Sequence, residues 1–172
     1  MSRTVTIVVG NPKRQSRTRA IAESLMAELL GDWADEYDVG VVDLADHASE
    51  MFAWPSDVLA AIASRVAASD LVVVASPTYK ASFTGLLKAF LDRYQTKALQ
   101  DVDVIALMTG ADDRHSLTPS TSLVPLLSEL GAQVVGPGLY FVTADMDRVA
   151  DEVRAAAGDL RRVLSAQPLL AR

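Results

Sequence analysis

One stretch of the sequence restricts the fold more than any other. Residues 70–76, DLVVVAS, form an almost continuous run of apolar side chains, most of them β-branched. A strand of this kind is apolar on both faces, so both faces must be covered, as they are inside a parallel sheet with helices on each side. The residues that follow, 84–99, have the apolar spacing of an amphipathic helix. We therefore predict an α/β protein built around a buried parallel strand.

The same alternation of strand and helix continues along the whole chain. We predict strands at 4–9, 37–44, 70–76, 101–110 and 133–142, and helices at 19–30, 56–69, 84–99, 119–132 and 146–166. Ser56 is the expected N-cap of the second helix. Five strand–helix repeats favour a flavodoxin-like, doubly wound parallel sheet with strand order 2-1-3-4-5, in a single domain over residues 1–172. In that order, ligands bind beyond the carboxyl ends of strands 1, 3 and 4.

Composition argues against several classes of function. The chain has no cysteine, which excludes disulfides, thiolate metal sites and thiol catalysis and fits a cytoplasmic protein. Its net charge of −6 argues against a nucleic-acid partner. No run of apolar residues is long enough for a membrane span, and the first residues, MSRTVTIVVG, are too short and too strand-like for a signal peptide.

The first loop at the predicted ligand edge is 10–18, GNPKRQSRT, between strand 1 and its helix. Free backbone N–H groups and the helix dipole attract an anion at such a position, and Ser16 and Thr18 add hydroxyl donors. The loop and the residue after it carry four cations in an acidic chain: Lys13, Arg14, Arg17 and Arg19. A phosphate is the favoured ligand, and a solvated basic turn is the alternative. The pattern is neither G-x-G-x-x-G nor a P-loop, which disfavours a dinucleotide Rossmann site and a nucleoside triphosphatase.

The second loop is 76–82, SPTYKAS, which has more functional groups than a turn needs. Pro77 stiffens the exit from the strand. We expect backbone groups of Thr78, Tyr79 and Lys80 to hydrogen-bond the edge of a flat heterocycle. Tyr79 would then cover one face of the ring, and the alternative is a surface aromatic.

The third loop is 109–115, TGADDRH. Thr109 and Gly110 would let the backbone approach the same ring closely. We do not expect His115 to be catalytic, because a lone loop histidine is usually exposed or structural. Asp112 and Asp113 resemble metal ligands, but no second ligand set has suitable spacing, so we expect them to be solvated.

The segment 45–56, ADHASEMFAWPS, is long for a connection between a strand and a helix, and it carries Phe52 and Trp54. Two interpretations are equally supported. The segment folds back over the rim of the sheet, or it forms a wall of the ligand site or of a subunit contact.

At the three loops the chain resembles the NAD(P)H-dependent FMN reductases of the flavodoxin-like superfamily, in particular the reductases of two-component sulfonate monooxygenase systems. The family pattern G-S-P-R-x-x-S-x-[ST/N] is matched at Gly10, Pro12, Ser16 and Thr18, with lysine at 13 in place of arginine and asparagine at 11 in place of serine. The pattern P-[VT]-Y-K-[AG]-S-[FY]-[ST]-G-x-L-K is matched over 77–88, and the match continues through MTG, His115 and residues 123–132.

The resemblance implies hydride transfer from NADPH or NADH to FMN, with no protein acid or base, because the flavin carries the chemistry. It implies a set of FMN-binding residues, namely Asn11, Lys13, Ser16, Arg17, Thr18, Pro77, Thr78, Tyr79, Lys80, Ser82, Thr109, Gly110 and His115. It also implies a flavin-dependent monooxygenase as the recipient of reduced flavin, and a homodimer or homotetramer that is joined through helix 84–98 and segment 45–56.

One departure from the family and two rival functions stay open. Thr121 stands where many of these reductases have an aromatic residue, on a helix associated with subunit packing and flavin exchange in the family. Whether FMN is a passing substrate or a held cofactor is therefore open. The rival functions are an FMN-containing quinone or azo-compound reductase and a non-enzymatic flavodoxin-like electron carrier.

Overall fold

A parallel sheet forms the centre of the protein in a computed structural model that describes residues 3–165. Its strands are β1 (Arg3–Val9), β2 (Tyr37–Asp43), β3 (Leu71–Pro77), β4 (Asp103–Gly110), β5 (Gln133–Val134) and β6 (Leu139–Val142). The strand order is β2-β1-β3-β4-β5, and β6 also pairs with β4. All of these pairings are parallel. The predicted flavodoxin-like order is confirmed.

Helices cover both faces of this sheet. They are α1 (Arg17–Leu30), α2 (Asp57–Ala67), α3 (Gly85–Leu91), α4 (Val124–Glu129) and α5 (Met146–Ser165), and the final position of the predicted last helix, 166, lies outside the described residues. Every residue of β3 is buried. Val73 belongs to the core shared with α1 and α5, whereas Val72 and Val74 belong to the core on the opposite face. This alternation explains why the strand is apolar at successive positions. Among the described residues, no helix combines the length and the apolarity needed to cross a membrane.

Three hydroxyl side chains start helices at or beside the ligand edge. Ser16, Ser56 and Thr84 are the N-caps of α1, α2 and α3, and each accepts a hydrogen bond from the backbone amide three residues later. The expected cap at Ser56 is therefore confirmed. Because these caps satisfy helix N–H groups locally, the starts of these helices could be predicted closely from the sequence.

The third helix is shorter than predicted. It ends at Leu91, not at residue 99. The amide of Leu99 donates to the carbonyl of Leu130, outside the segment, and Lys97 has a positive φ of 61°. The Tyr94 ring packs edge-on against Phe90 at 5.7 Å between centroids. Tertiary hydrogen bonding thus replaces the helical bonds that the apolar spacing suggested.

The predicted helix at 119–132 begins as a π-helix, Pro119–Leu123, and continues as α4. The amide of Val124 donates to the carbonyl of Pro119, five residues earlier. The widened turn comes directly before Pro125, which has no N–H to donate and whose ring crowds the carbonyl four residues earlier, that of Thr121. Thr121 itself is exposed, and its hydroxyl donates to the carbonyl of Leu117.

The predicted strand at 133–142 is divided into β5 and β6 by residues 135–138. Gly136 lies in this interruption with a positive φ of 73°, which an extended strand does not allow. The second piece, β6, carries the chain to the same edge of the sheet as β1, β3 and β4. This brings the segment after β6 close to the predicted ligand site.

Candidate functional site

A cavity of about 300 Å³ lies at the carboxyl edge of the sheet. It brings together parts of the three predicted loops: Asn11, Lys13, Ser16, Arg17, Thr18, Pro77, Thr78, Tyr79, Thr109 and Gly110. Ala111 and Thr143 line it as well. Sequence reasoning missed Thr143, although its place directly after the last strand was a usable signal, because parallel strands end at the same edge.

Three predicted ligand residues do not line this cavity: Lys80, Ser82 and His115. Lys80 and Ser82 belong to a tight turn at the rim. His115 ends a short 3₁₀ helix, Asp113–His115, and is partly buried away from the cavity. The segment 45–56 contributes no lining residue either. It starts within a 3₁₀ helix, Leu44–Glu50, with Met51 buried, while Phe52 and Trp54 are 87% and 72% exposed.

A larger cavity of about 510 Å³ lies between β6 and α5, and most of its wall is apolar. Its polar lining is mainly acidic, with Asp113, Glu152 and Asp159, and the single cation among its described lining residues, Arg148, is paired with Glu152 at 2.8 Å. An anionic ligand is therefore better matched by the smaller cavity, which Lys13 and Arg17 line without any carboxylate.

The start of α1 presents hydrogen-bond donors at one end of the smaller cavity. Ser16 Oγ accepts from the amide of Arg19 at 3.2 Å, so its hydroxyl hydrogen stays available. Within the described part of the chain, the amides of Arg17 and Thr18 donate to no acceptor. Since α1 has 14 residues, its dipole adds a favourable potential for negative charge at these groups.

Only two of the four cations near this loop line the cavity. Arg14 pairs with Asp46 at 2.8 Å on the surface, and Arg19 pairs with Glu23 at 2.9 Å. Lys13 lines the cavity and makes no ion pair with any residue from 3 to 165. Arg17 also lines it.

The guanidinium of Arg17 donates to the carbonyl of Thr143 at 2.7 Å. This bond links the start of α1 to the segment after β6. Because a guanidinium has five N–H donors, the others stay available for an anion.

A buried polar chain joins the first loop to the third. Asn11 Nδ2 donates to Thr18 Oγ1 at 3.1 Å, and Asn11 Oδ1 accepts from the amide of Lys13 at 2.9 Å. Thr18 Oγ1 in turn lies 2.8 Å from Thr109 Oγ1. Both ends of the Asn11 amide are therefore engaged within the protein, so this side chain shapes the loop.

A second buried contact fixes the first loop against α3. Thr84 Oγ1 donates to the carbonyl of Gly10 at 2.5 Å, and the amide of Gly10 donates to Ala75 at 2.7 Å. A Cβ at position 10 would lie 2.6 Å from Leu87 Cβ. Glycine is needed here because the loop backbone lies directly against the helix.

The second loop is a tight antiparallel turn. The amide of Tyr79 donates to the carbonyl of Ser82 at 2.8 Å, and the amide of Ser82 donates back at 3.2 Å. The two central residues, Lys80 and Ala81, have positive φ angles of 52° and 60°, as a type I′ turn requires. Tyr79 is 49% exposed at the rim of the cavity.

This geometry limits which backbone N–H groups of Thr78, Tyr79 and Lys80 can bind the edge of a ring. The amide of Tyr79 is used within the turn, and that of Thr78 donates to the carbonyl of Thr109 at 2.7 Å. Neither N–H is therefore free for a ligand, because strand pairing and turn closure use them. The amide of Lys80 has no acceptor among the described residues, and Thr78 Oγ1 is a buried atom that lacks a hydrogen bond of good geometry.

The third loop is fixed by its own charges. Arg114 donates to Asp112 Oδ2 through Nε at 3.0 Å and through Nη2 at 2.7 Å. These hydrogen bonds lower the pKa of Asp112. Its carboxylate is thus occupied by an internal ion pair, and the part of the loop that lines the cavity is its beginning, Thr109, Gly110 and Ala111.

Residues 3–147 match the sequence model of a family described as NADPH-dependent FMN reductase. The chain belongs to this family. The resemblance inferred from the three loops is thereby confirmed.

Individual relatives agree with this assignment. An FMN reductase (NADPH) of Pseudomonas aeruginosa is 35% identical, and the alignment covers 83% of this chain and 78% of that protein. An NADH-dependent FMN reductase, SfnF, of Pseudomonas fluorescens is 33% identical, with 84% and 80% covered. A solved structure of an NADH:FMN oxidoreductase, EMOB, in its apo form superposes with a TM-score of 0.83 at 29% identity, over 96% of this chain and 92% of that one.

Proposed function

We propose that this protein transfers hydride from NADPH or NADH to FMN and supplies the reduced flavin to a flavin-dependent monooxygenase. The proposal rests on one observation: the residues expected to bind a phosphate and those expected to bind a flat ring line the same cavity. The start of α1, with Lys13, Ser16 and Arg17, lies in the same cavity as Thr78 and Gly110. A ligand that consists of a heterocycle and a phosphate requires both the anion site and the adjoining cavity.

The residues present fit FMN on their own chemistry. The phosphate end has the Ser16 hydroxyl, the amides of Arg17 and Thr18, and the ammonium of Lys13, which forms no ion pair within residues 3–165. The ring end has the buried Thr78 Oγ1, which lies beside Tyr140 but lacks a hydrogen bond of good geometry within residues 3–165, so a polar ring edge would satisfy it.

When FMN is bound, its ring supplies the acceptor for hydride from the nicotinamide. The protein's residues bind and orient. Tyr79 stands half-exposed at the rim, where it limits access of water to one side of the cavity. Thr109 and Thr18 keep the floor rigid through their 2.8 Å contact. No acid–base group is assigned, and His115, which we do not expect to be catalytic, lies outside the cavity lining.

We also propose that the chain acts as a single domain over residues 1–172 and forms a homodimer or homotetramer. The exposed aromatic side chains of Phe52 and Trp54 support a subunit contact, because large exposed apolar groups favour association. Arg93 lies over the Trp54 ring at 4.3 Å, which holds that ring in place. A cytoplasmic location is proposed from the cysteine-free composition.

Oxidation of NADPH and of NADH by the purified protein, with and without added FMN, tests the proposed activity. We expect oxidation that depends on FMN, and stronger binding of FMN than of FAD because the anion site suits one phosphate. Quinones as acceptors provide the comparison with the rival reductase. Absence of flavin binding, or flavin binding without NAD(P)H oxidation, would refute the proposal.

A further inference from the structure

Tyr140 lies beneath the third loop, where it lines the larger cavity between β6 and α5 but not the smaller cavity of the candidate site. It belongs to β6, where it is in register with Met108 of β4. Its hydroxyl donates to the carbonyl of Asp112 at 2.9 Å, across 28 residues of sequence. This bond fixes the loop backbone at a point two residues beyond Gly110, which does line the cavity.

The contact with Gly110 is unusually close. A Cβ at position 110 would lie 1.8 Å from the Tyr140 hydroxyl oxygen and 2.7 Å from the ring carbon that bears it. Any side chain at 110 would therefore displace either the tyrosine or the loop. The tyrosine and the glycine together determine how closely the backbone at 110 can approach a ligand.

The same hydroxyl lies near the second loop. Thr78 Oγ1 is next to Tyr140, and the amide of Thr78 donates to the carbonyl of Thr109. Burial is the main cause that raises the pKa of Tyr140, so the hydroxyl keeps its proton at neutral pH and above. Tyr140 thus remains a donor to the loop under all ordinary assay conditions.

We propose that Tyr140 is a positioning residue for flavin binding: by holding the carbonyl of Asp112 and packing against Gly110, it sets the loop backbone that faces the flavin ring. The inference rests on the proposed function. Since the contacts of Tyr140 with Thr78, Gly110 and Asp112 all lie in the two ring-side loops, its contribution concerns the ring and not the phosphate.

The test replaces Tyr140 by Phe and compares FMN with riboflavin. Loss of one hydrogen bond should raise the Kd of both flavins by roughly three- to tenfold. The two increases should be equal, because the phosphate end is untouched. In steady-state assays the KM for flavin should rise while kcat stays within about twofold, as expected when ground-state and transition-state binding are lost together.

Tyr94→Phe is the matched control. The Tyr94 hydroxyl also donates to a backbone carbonyl, that of Ala63 at 3.2 Å, and its ring is partly buried against α3, away from the cavity. We expect a comparable change in thermal stability for both variants but an unchanged flavin Kd for Tyr94→Phe.

Three results would overturn the inference while leaving the proposed function intact. These are an unchanged flavin Kd in Tyr140→Phe, a loss for FMN without a loss for riboflavin, and equal flavin losses in the two tyrosine variants. Failure of the wild-type protein to bind any flavin would instead refute the proposed function, and the inference with it.

Discussion

Replacing Ser16 by Ala separates phosphate binding from support of the fold. The Ser16 Oγ accepts from the amide of Arg19 at 3.2 Å and keeps its hydrogen for an anion at the start of α1. Loss of an N-cap serine lowers the free energy of unfolding by about 1 kcal/mol. A hydrogen bond to a charged group contributes about 1.5–3 kcal/mol. We therefore expect the Kd for FMN to rise roughly tenfold to a hundredfold, and the Kd for riboflavin, which lacks the phosphate, to stay nearly unchanged.

Ser56→Ala provides the control for this experiment. Ser56 caps α2 by accepting from the amide of Leu59 at 3.2 Å, also donates to Glu50 Oε2 at 3.1 Å, and lies outside the cavity lining. Flavin fluorescence quenching measures binding, and denaturant titration measures stability. Ser56→Ala should lose at least as much stability as Ser16→Ala, because it also loses the bond to Glu50, and only Ser16→Ala should lose FMN affinity. Equal losses for FMN and riboflavin in Ser16→Ala, or a similar FMN loss in Ser56→Ala, would show that the loop supports the structure and does not hold a phosphate.

Three further changes test other parts of the structure. Arg17→Ala should weaken FMN binding less than Ser16→Ala, since the Arg17 guanidinium also bonds to Thr143. The loss of FMN affinity in Arg17→Ala should become smaller as salt screens the charge. FMN titrations at low and high salt measure this change. Burial raises the pKa of Asp103, so its ionisation lowers the free energy of unfolding as pH rises through the folded pKa. Unfolding titrations should therefore find Asp103→Asn more stable than the wild type at neutral pH. At about pH 3, where the carboxyl is neutral in both the folded and the unfolded state, the two proteins should be equally stable. Ala81→Gly should raise the free energy of unfolding by about 0.5 kcal/mol, because glycine accepts the positive φ of 60° without strain; a lower denaturant midpoint would contradict this.

The sequence by itself determined the order of elements and the place of the site. The continuous apolar run in β3 reflects burial on both faces, and the hydroxyl residues at 16, 56 and 84 start three helices. Both signals are local, because they depend on the side-chain period and on an amide three residues away. The parallel order then brings the ends of β1, β3 and β4 to one edge, so loops far apart in sequence could be predicted to meet.

Tertiary structure alone decided which groups of those loops face the ligand. Arg17 reaches the carbonyl of Thr143, 126 residues away, while Arg19 bonds to Asp43, 24 residues away. The second loop closes on itself as a turn, and Tyr140 reaches under the third loop from β6. Apart from the closure of this turn, each outcome depends on which distant partner occupies the neighbouring space. Local residue type can indicate that a cation or an amide is present, but it cannot indicate whether another part of the chain has already engaged it.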